Sequence, residues 1–163
     1  DFAPIVVAKD FLCEPTISRW GLPMKDKKQV IINARAETIL EKYPFSKILQ
    51  NRCLIPASGY FEWQKTQDGK KKLIIRPKSS ELFYMAGLYQ NIYLDDGKVV
   101  MAYVIITTEP SPMIKDIHDR MPVILKKEHQ DIWLFEKTGE KTNKGFFDSI
   151  LTSFKDELIV EAA

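Results

Sequence analysis

Short apolar runs separated by turn residues set the strand-like pattern of this chain. They predict strands over residues 5–8, 16–20 and 29–33, the last rich in β-branched residues. Trp20-Gly21-Leu22-Pro23 marks a turn after the second, and the charged residues 25–28 read as a solvated loop. The period then lengthens. Over residues 36–43 Ile39, Leu40 and Tyr43 fall on one side and Glu37 and Glu41 on the other, which predicts a helix that Pro44 stops or kinks. Residues 45–51 predict a second short helix with Ile48 and Leu49 inward. Residues 53–64 read as extended. Asp68-Gly69 then predicts a hairpin, with its return strand over 72–76. Strands follow over 83–89 and 98–107, joined by a turn at Asp95-Asp96-Gly97. The second is read as the longest strand and apolar enough to be central. Residues 109–115 carry two prolines and predict an irregular segment or one helical turn. A short strand over 123–125 precedes helices over 127–135 and 144–154, with Ile132, Trp133, Phe146, Phe147, Ile150 and Leu151 inward. Residues 158–160 predict a closing edge strand. Strands in hairpin order with a few separate helices imply an α+β fold: a mainly antiparallel, barrel-like β core with flanking helices.

Composition narrows the function classes only a little. A chain of 163 residues, 45% of them hydrophobic, is expected to fold as one domain over residues 1–163. Its apolar runs are too short to span a bilayer, and no signal peptide is visible. Two cysteines, Cys13 and Cys53, make no disulfide framework, which favours a reduced, cytoplasmic setting. A net charge of +2 permits an anionic partner without demanding one. No glycine-rich phosphate loop, HExxH or CxxC motif occurs, so no cofactor is expected. His118, Asp119 and Glu62 lack the spacing of a metal site, and none is expected.

Three stretches carry candidate chemistry. The central one, residues 52–64, places Glu62 inside an apolar and aromatic run. A carboxylate there is either on the polar outer face of a half-exposed strand, or desolvated with a raised pKa and poised as a general acid or base. On a strand it shares a face with Tyr60 and Gln64, while Phe61 and Trp63 point the other way. His118 sits between an irregular segment and a strand. It is either a site residue or a loop histidine tied to Asp119 or to a backbone carbonyl. Arg35 and Arg120 suit phosphate, which a guanidinium binds through a bidentate fork, and equally suit salt bridges with Glu37 or Asp119. Trp20 and Trp63 suit stacking on bases, or core packing. Asn33 either orients a reacting group or closes a strand. Cys53 lies among apolar neighbours and reads as a small core residue.

Taken together, Asn33-Ala34-Arg35-Ala36-Glu37-Thr38, the run from Arg52 to Trp63, Thr107-Thr108 and Ile117-His118-Asp119-Arg120-Met121-Pro122 resemble the motifs of the SRAP, or SOS-response-associated peptidase, family. The resemblance runs from about Trp20 to Leu134. It implies a monomeric protein that binds single-stranded DNA at abasic sites and forms a covalent thiazolidine crosslink through an N-terminal cysteine. Glu62, His118 and Asn33 are then the catalytic residues. Arg35, Arg120, Trp20, Trp63 and Thr108 are the DNA contacts. The family begins Met-Cys-Gly-Arg and carries a further segment ahead of the region that resembles the start of this chain. The nucleophile is therefore expected to be missing from these 163 residues, which begin at Asp1. Neither Cys13 nor Cys53 can replace it, because an internal cysteine has no α-amine beside its thiol. The alternatives are a non-catalytic single-stranded DNA-binding protein and a thiol-type peptidase or autopeptidase using Glu62 and His118.

Overall fold

The structure is a computed structural model that describes residues 1–24, 29–137 and 144–163; the charged loop expected at 25–28 lies outside the described residues. In chain order the elements are β1 (Phe2–Lys9), β2 (Leu12–Trp20), β3 (Leu22–Pro23), β4 (Val30–Ile31), β5 (Asn33–Arg35), β6 (Arg52–Ala57), β7 (Tyr60–Thr66), β8 (Gly69–Pro77), β9 (Phe83–Tyr93), β10 (Val99–Thr108), β11 (Met121–Pro122), β12 (Ile124–Leu125), helices α1 (Lys127–Phe135) and α2 (Lys144–Ile150), and β13 (Leu158–Ala162). Five of these strands close on themselves in the order β10-β2-β1-β6-β9, with β9 pairing back to β10. The expected α+β, barrel-like fold is the fold observed. Its neighbours are antiparallel except where β10 runs parallel to β2 and to β5.

β10 organises the wall because each of its sides serves successive partners. On one side it pairs with β2 at Ala102 and Tyr103, then with β5 from Ile105 to Thr107. The hairpin β3–β4 fills the interval between those partners. On the other side β10 follows β9 as far as the Ile105–Gly87 pair, after which the two diverge. Residues 121–125 enter the gap: β11 pairs with β10 and β12 with β9. Val123 bridges both, its N–H donating to the Ile106 carbonyl at 2.9 Å while its carbonyl accepts from Ala86 at 2.9 Å. Glycine is required at the point of divergence. A Cβ on Gly87 would lie 2.6 Å from Ile55 Cδ1 and 2.8 Å from both Cys53 Sγ and the Val104 carbonyl.

Both faces of the wall are covered, which is why its strands read as nearly continuous apolar runs. Side chains of one parity, including Leu54, Leu88, Val104 and Ile106, pack with Ile39, Phe45, Trp133 and Phe147. Those of the other parity, including Ile5, Cys53, Met85 and Tyr103, pack with Ile75, Phe154 and Leu158 around the three-stranded sheet β13-β8-β7. Arg52 is buried where β6 meets α1. Its guanidinium donates to the carbonyls of Trp133 (2.5 Å), Leu49 (3.2 Å) and Glu136, and lies over the Trp133 and Phe146 rings. A cation here satisfies carbonyls that the C-terminus of α1 would otherwise leave open.

Several expectations are corrected. Residues 36–43 form one 3₁₀ turn, Ala36–Thr38, followed by turns. Ile39 is fully buried as expected, but Tyr43 is exposed. Residues 45–51 hold only a 3₁₀ turn, Phe45–Lys47, although Ile48 and Leu49 are buried as expected. Ile132 is exposed, and α2 stops at Ile150. The longest strand is β9, with 11 residues against 10 in β10. The β1–β2 turn, Asp10-Phe11, has positive φ at both residues (48° and 66°), the twist that matches a two-residue hairpin, without the glycine or asparagine that usually signals it.

Candidate active site

Beyond the point where β9 and β10 part, the inserted segments surround a cavity of about 650 Å³. Its lining includes Trp20, Asn33, Arg35, Glu62, Trp63, His118 and Arg120. Seven of the eight candidate residues, which come from distant stretches of chain, therefore border one space. Thr108 does not: it is buried on the opposite face of β10, where its hydroxyl lies 3.5 Å from the Leu151 carbonyl. Strand alternation gives the cavity to its neighbour Thr107 instead.

Each side chain has a backbone reason for its place. The Ile32 carbonyl accepts from Ile105 N–H at 3.1 Å and from the Trp20 indole N–H at 3.0 Å. That double anchor starts β5. Alternation along β5 buries Ala34 in the wall and turns Asn33 and Arg35 outward. Glu62 is delivered by β7, which pairs with β8 through Glu62–Leu73. β7 inverts the ordinary strand pattern. Tyr60, Glu62 and Gln64 are partly buried, whereas Phe61 and Trp63 are half exposed. Lys72 covers this outer aromatic pair, its Nζ 3.9 Å from the Phe61 ring centroid and 5.8 Å from that of Trp63. The loop between β10 and β11 supplies His118 and Arg120.

His118 Nε2 lies 3.8 Å from Glu62 Oε2, beyond a direct hydrogen bond but within ion-pair reach. Burial holds the Glu62 carboxyl above the usual carboxylate range; His118 opposes that shift and Asp119 adds to it. The Arg120 amide donates to His118 Nδ1 at 3.0 Å, which favours the neutral tautomer with its proton on Nε2, toward Glu62. A proton on Nδ1 would instead find Asp119 Oδ1 at 3.2 Å or the Arg120 carbonyl at 3.3 Å. A partly buried carboxyl of raised pKa facing an imidazole is an arrangement for moving protons.

Arg120 is engaged in the protein. Its two terminal nitrogens fork onto Glu37 Oε1 and Oε2 at 2.9 Å each, and Nη2 also donates to the Thr107 carbonyl at 2.7 Å. Of the two readings open for Arg120, the Glu37 salt bridge is present. Among the remaining lining residues, Tyr60 was visible in sequence only as a face-mate of Glu62. Among the described residues its buried hydroxyl has no hydrogen-bond partner, and burial together with Glu62 raises its phenol pKa. Cys53 is fully buried and burial pushes its thiol up; neither Cys53 nor Cys13 lines the cavity.

A closed β barrel thus brings a carboxylate and an imidazole together at one cavity, beside an exposed arginine and tryptophan. The chain belongs to the SOS response associated peptidase (SRAP) family, whose model matches residues 3–161. It is 44% identical over 144 residues to the abasic site processing protein YoaM of Bacillus subtilis, covering 83% of this chain and 62% of that protein. It is 30% identical over 124 residues to the abasic site processing protein YedK of Escherichia coli, covering 75% and 55%. The chain thus spans less than two thirds of the length of these relatives. A crystal structure of a protein from Bacteroides thetaiotaomicron superposes with a TM-score of 0.87 at 30% identity, covering 99% of this chain and 73% of the other. One from Bordetella bronchiseptica, 20% identical, shares the fold with a TM-score of 0.85, covering 99% and 83%. Among the described residues no helix is long and apolar enough to cross a membrane.

Proposed function

We propose that this protein processes abasic sites in single-stranded DNA, with the damaged sugar received between Glu62 and His118. The observation that carries the reading is the 3.8 Å approach of these side chains inside a cavity bordered by Asn33, Arg35 and Trp63. The names of the relatives point to the same lesion. A ring-opened abasic sugar presents an aldehyde. The α-amine of an N-terminal cysteine adds to it, and loss of water gives an imine. The cysteine thiol then adds across the C=N bond and closes a thiazolidine. The water lost carries away the carbonyl oxygen, which must be protonated as it leaves. A carboxyl whose pKa burial raises, as at Glu62, suits that step. His118, with its proton on Nε2, suits opening of the sugar ring. Arg35 is exposed and suits a fork onto a flanking phosphate, and Trp20 and Trp63, which border the cavity, suit stacking on neighbouring bases. Arg120 must exchange Glu37 for phosphate, or hold the loop while others bind.

The test uses the encoded protein, its initiator Met removed, with an abasic single-stranded oligonucleotide on a denaturing gel. A slow-migrating covalent band is expected, strongly delayed in Glu62→Gln. Absence of a band from the wild-type protein rejects the reading.

A further inference from the structure

Glu37 is two residues beyond Arg35, on the 3₁₀ turn that follows β5, and lies outside the lining of the cavity. Both of its oxygens are used by Arg120, at 2.9 Å each. The same guanidinium is pinned a third time, to the Thr107 carbonyl on β10. The Arg120 side chain is thus fixed to two elements of the wall. Its backbone N–H is the donor that His118 Nδ1 accepts at 3.0 Å. Competing acceptors sit close by, with Asp119 Oδ1 at 3.2 Å and the Arg120 carbonyl at 3.3 Å from the same nitrogen. His118 therefore has two tautomers within reach. One accepts from the Arg120 amide and aims its proton at Glu62. The other gives its proton to Asp119 or to the Arg120 carbonyl and leaves a bare Nε2 lone pair facing Glu62.

We propose that Glu37 is a positioning residue: by clamping Arg120 it holds the Arg120 amide on His118 Nδ1 and keeps the imidazole proton on Nε2, toward Glu62. The inference rests on the reading of Glu62 and His118 as the reacting pair. It gives the pairing of Glu37 with Arg120 a role in the chemistry from outside the cavity. A carboxylate is suited to this because it matches the planar fork at two points, which fixes orientation as well as distance. Its hydrogen bond to Arg120 lowers the Glu37 carboxyl below its ordinary value, favouring the ionised form that forks onto the guanidinium.

The test reads the tautomer directly, by nitrogen-15 chemical shifts of the histidine rings in the free protein. His129 on α1 serves as the internal control. Wild-type His118 is expected to show an unprotonated Nδ1 and a protonated Nε2. Glu37→Ala should move the tautomer ratio about fivefold toward the Nδ1–H form, the effect of one hydrogen bond. Glu37→Gln, which retains an acceptor for Arg120, should lie between the two. His129 should not move in either. An unchanged His118 ratio in Glu37→Ala, with His129 also unchanged, overturns the proposal. Should Glu37→Ala not fold, Arg120→Lys replaces it: Lys keeps the backbone N–H but lacks the fork, and the same shift is required. Crosslinking to abasic DNA is measured in parallel and should fall in Glu37→Ala and recover in Glu37→Gln. A tautomer shift in a protein whose wild type forms no crosslink would sink the abasic-site reading and leave the positioning role standing.

Discussion

β6 and β7 are consecutive in sequence, separated only by Ser58 and Gly59, yet they are used in opposite ways. β6 is a wall strand between β1 and β9, and its residues 52–55 are all buried. β7 is the edge of a three-stranded sheet. Its aromatic residues Phe61 and Trp63 face out, while Glu62 is turned inward beside His118. Folding energetics favour the reverse, because a half-exposed tryptophan forgoes burial and a half-buried carboxylate loses hydration. On the proposed function, this inversion is where stability is given up for binding and chemistry. Within one apolar stretch, then, the residues that obey the pattern make the wall and those that violate it make the site.

Leu54→Ala should break the wall half of this comparison most severely. Leu54 is buried against the helical side of the barrel, and the substitution should cost about 3 kcal/mol, read as a lowered urea midpoint. A change below about 1 kcal/mol would mean that β6 is less tightly packed than its burial shows. Trp63→Ala should show the contrary profile: stability within about 1 kcal/mol of wild type, but affinity for single-stranded DNA reduced roughly tenfold by loss of one stacking platform. Titration at increasing salt should weaken the remaining binding through its phosphate contacts. Unaltered affinity would remove the aromatic face of β7 from the binding surface.

The smallest effects, and the sharpest, concern sign. Glu62 binds its proton more tightly folded than unfolded, so between its ordinary value of 4.5 and its raised folded value the folded state carries more protons. Stability therefore falls as pH rises through that window, and the penalty is complete above it. Glu62→Gln removes the penalty and should gain on wild type from acid toward neutral pH. Glu37 shifts the other way. Held down chiefly by its hydrogen bond to Arg120, it contributes stability that is present above 4.5 and lost as pH falls through its folded value. Glu37→Gln should therefore lose to wild type at neutral pH and converge with it in acid. Urea midpoints measured from acid to neutral pH check both slopes. Parallel slopes for the two variants would contradict the placement of one carboxylate in a desolvated site and the other in a salt bridge.

Much of this was legible along the chain, and the failures follow one pattern. Strands and hairpins with a local turn signal were read correctly, as at Asp68-Gly69 and Asp95-Asp96-Gly97. The helix expected over 36–43 failed because the spacing of Ile39 and Leu40 fits either a helix or a 3₁₀ turn followed by further turns. Packing of Ile39 against the wall decided for the latter, and left Tyr43 outside. β11 was missed because two residues carry no period of their own; β10 and the gap beside it define that strand. The choice of Thr108 over Thr107 failed for a similar reason: alternation says that the two face opposite ways, and only the register of β10 against β5 and β11 says which faces the cavity.

Residue type and spacing within a few positions were enough for the barrel-like α+β class, the family and the three motif stretches. Tertiary structure alone decided that β10 would take β2 and β5 in parallel, that Glu62 would be the inward face of β7, and that Glu37 rather than a solvent ion would hold Arg120. Those are pairings between residues far apart in the chain. Their energies depend on which strand lies alongside and in what register, and no local period encodes that.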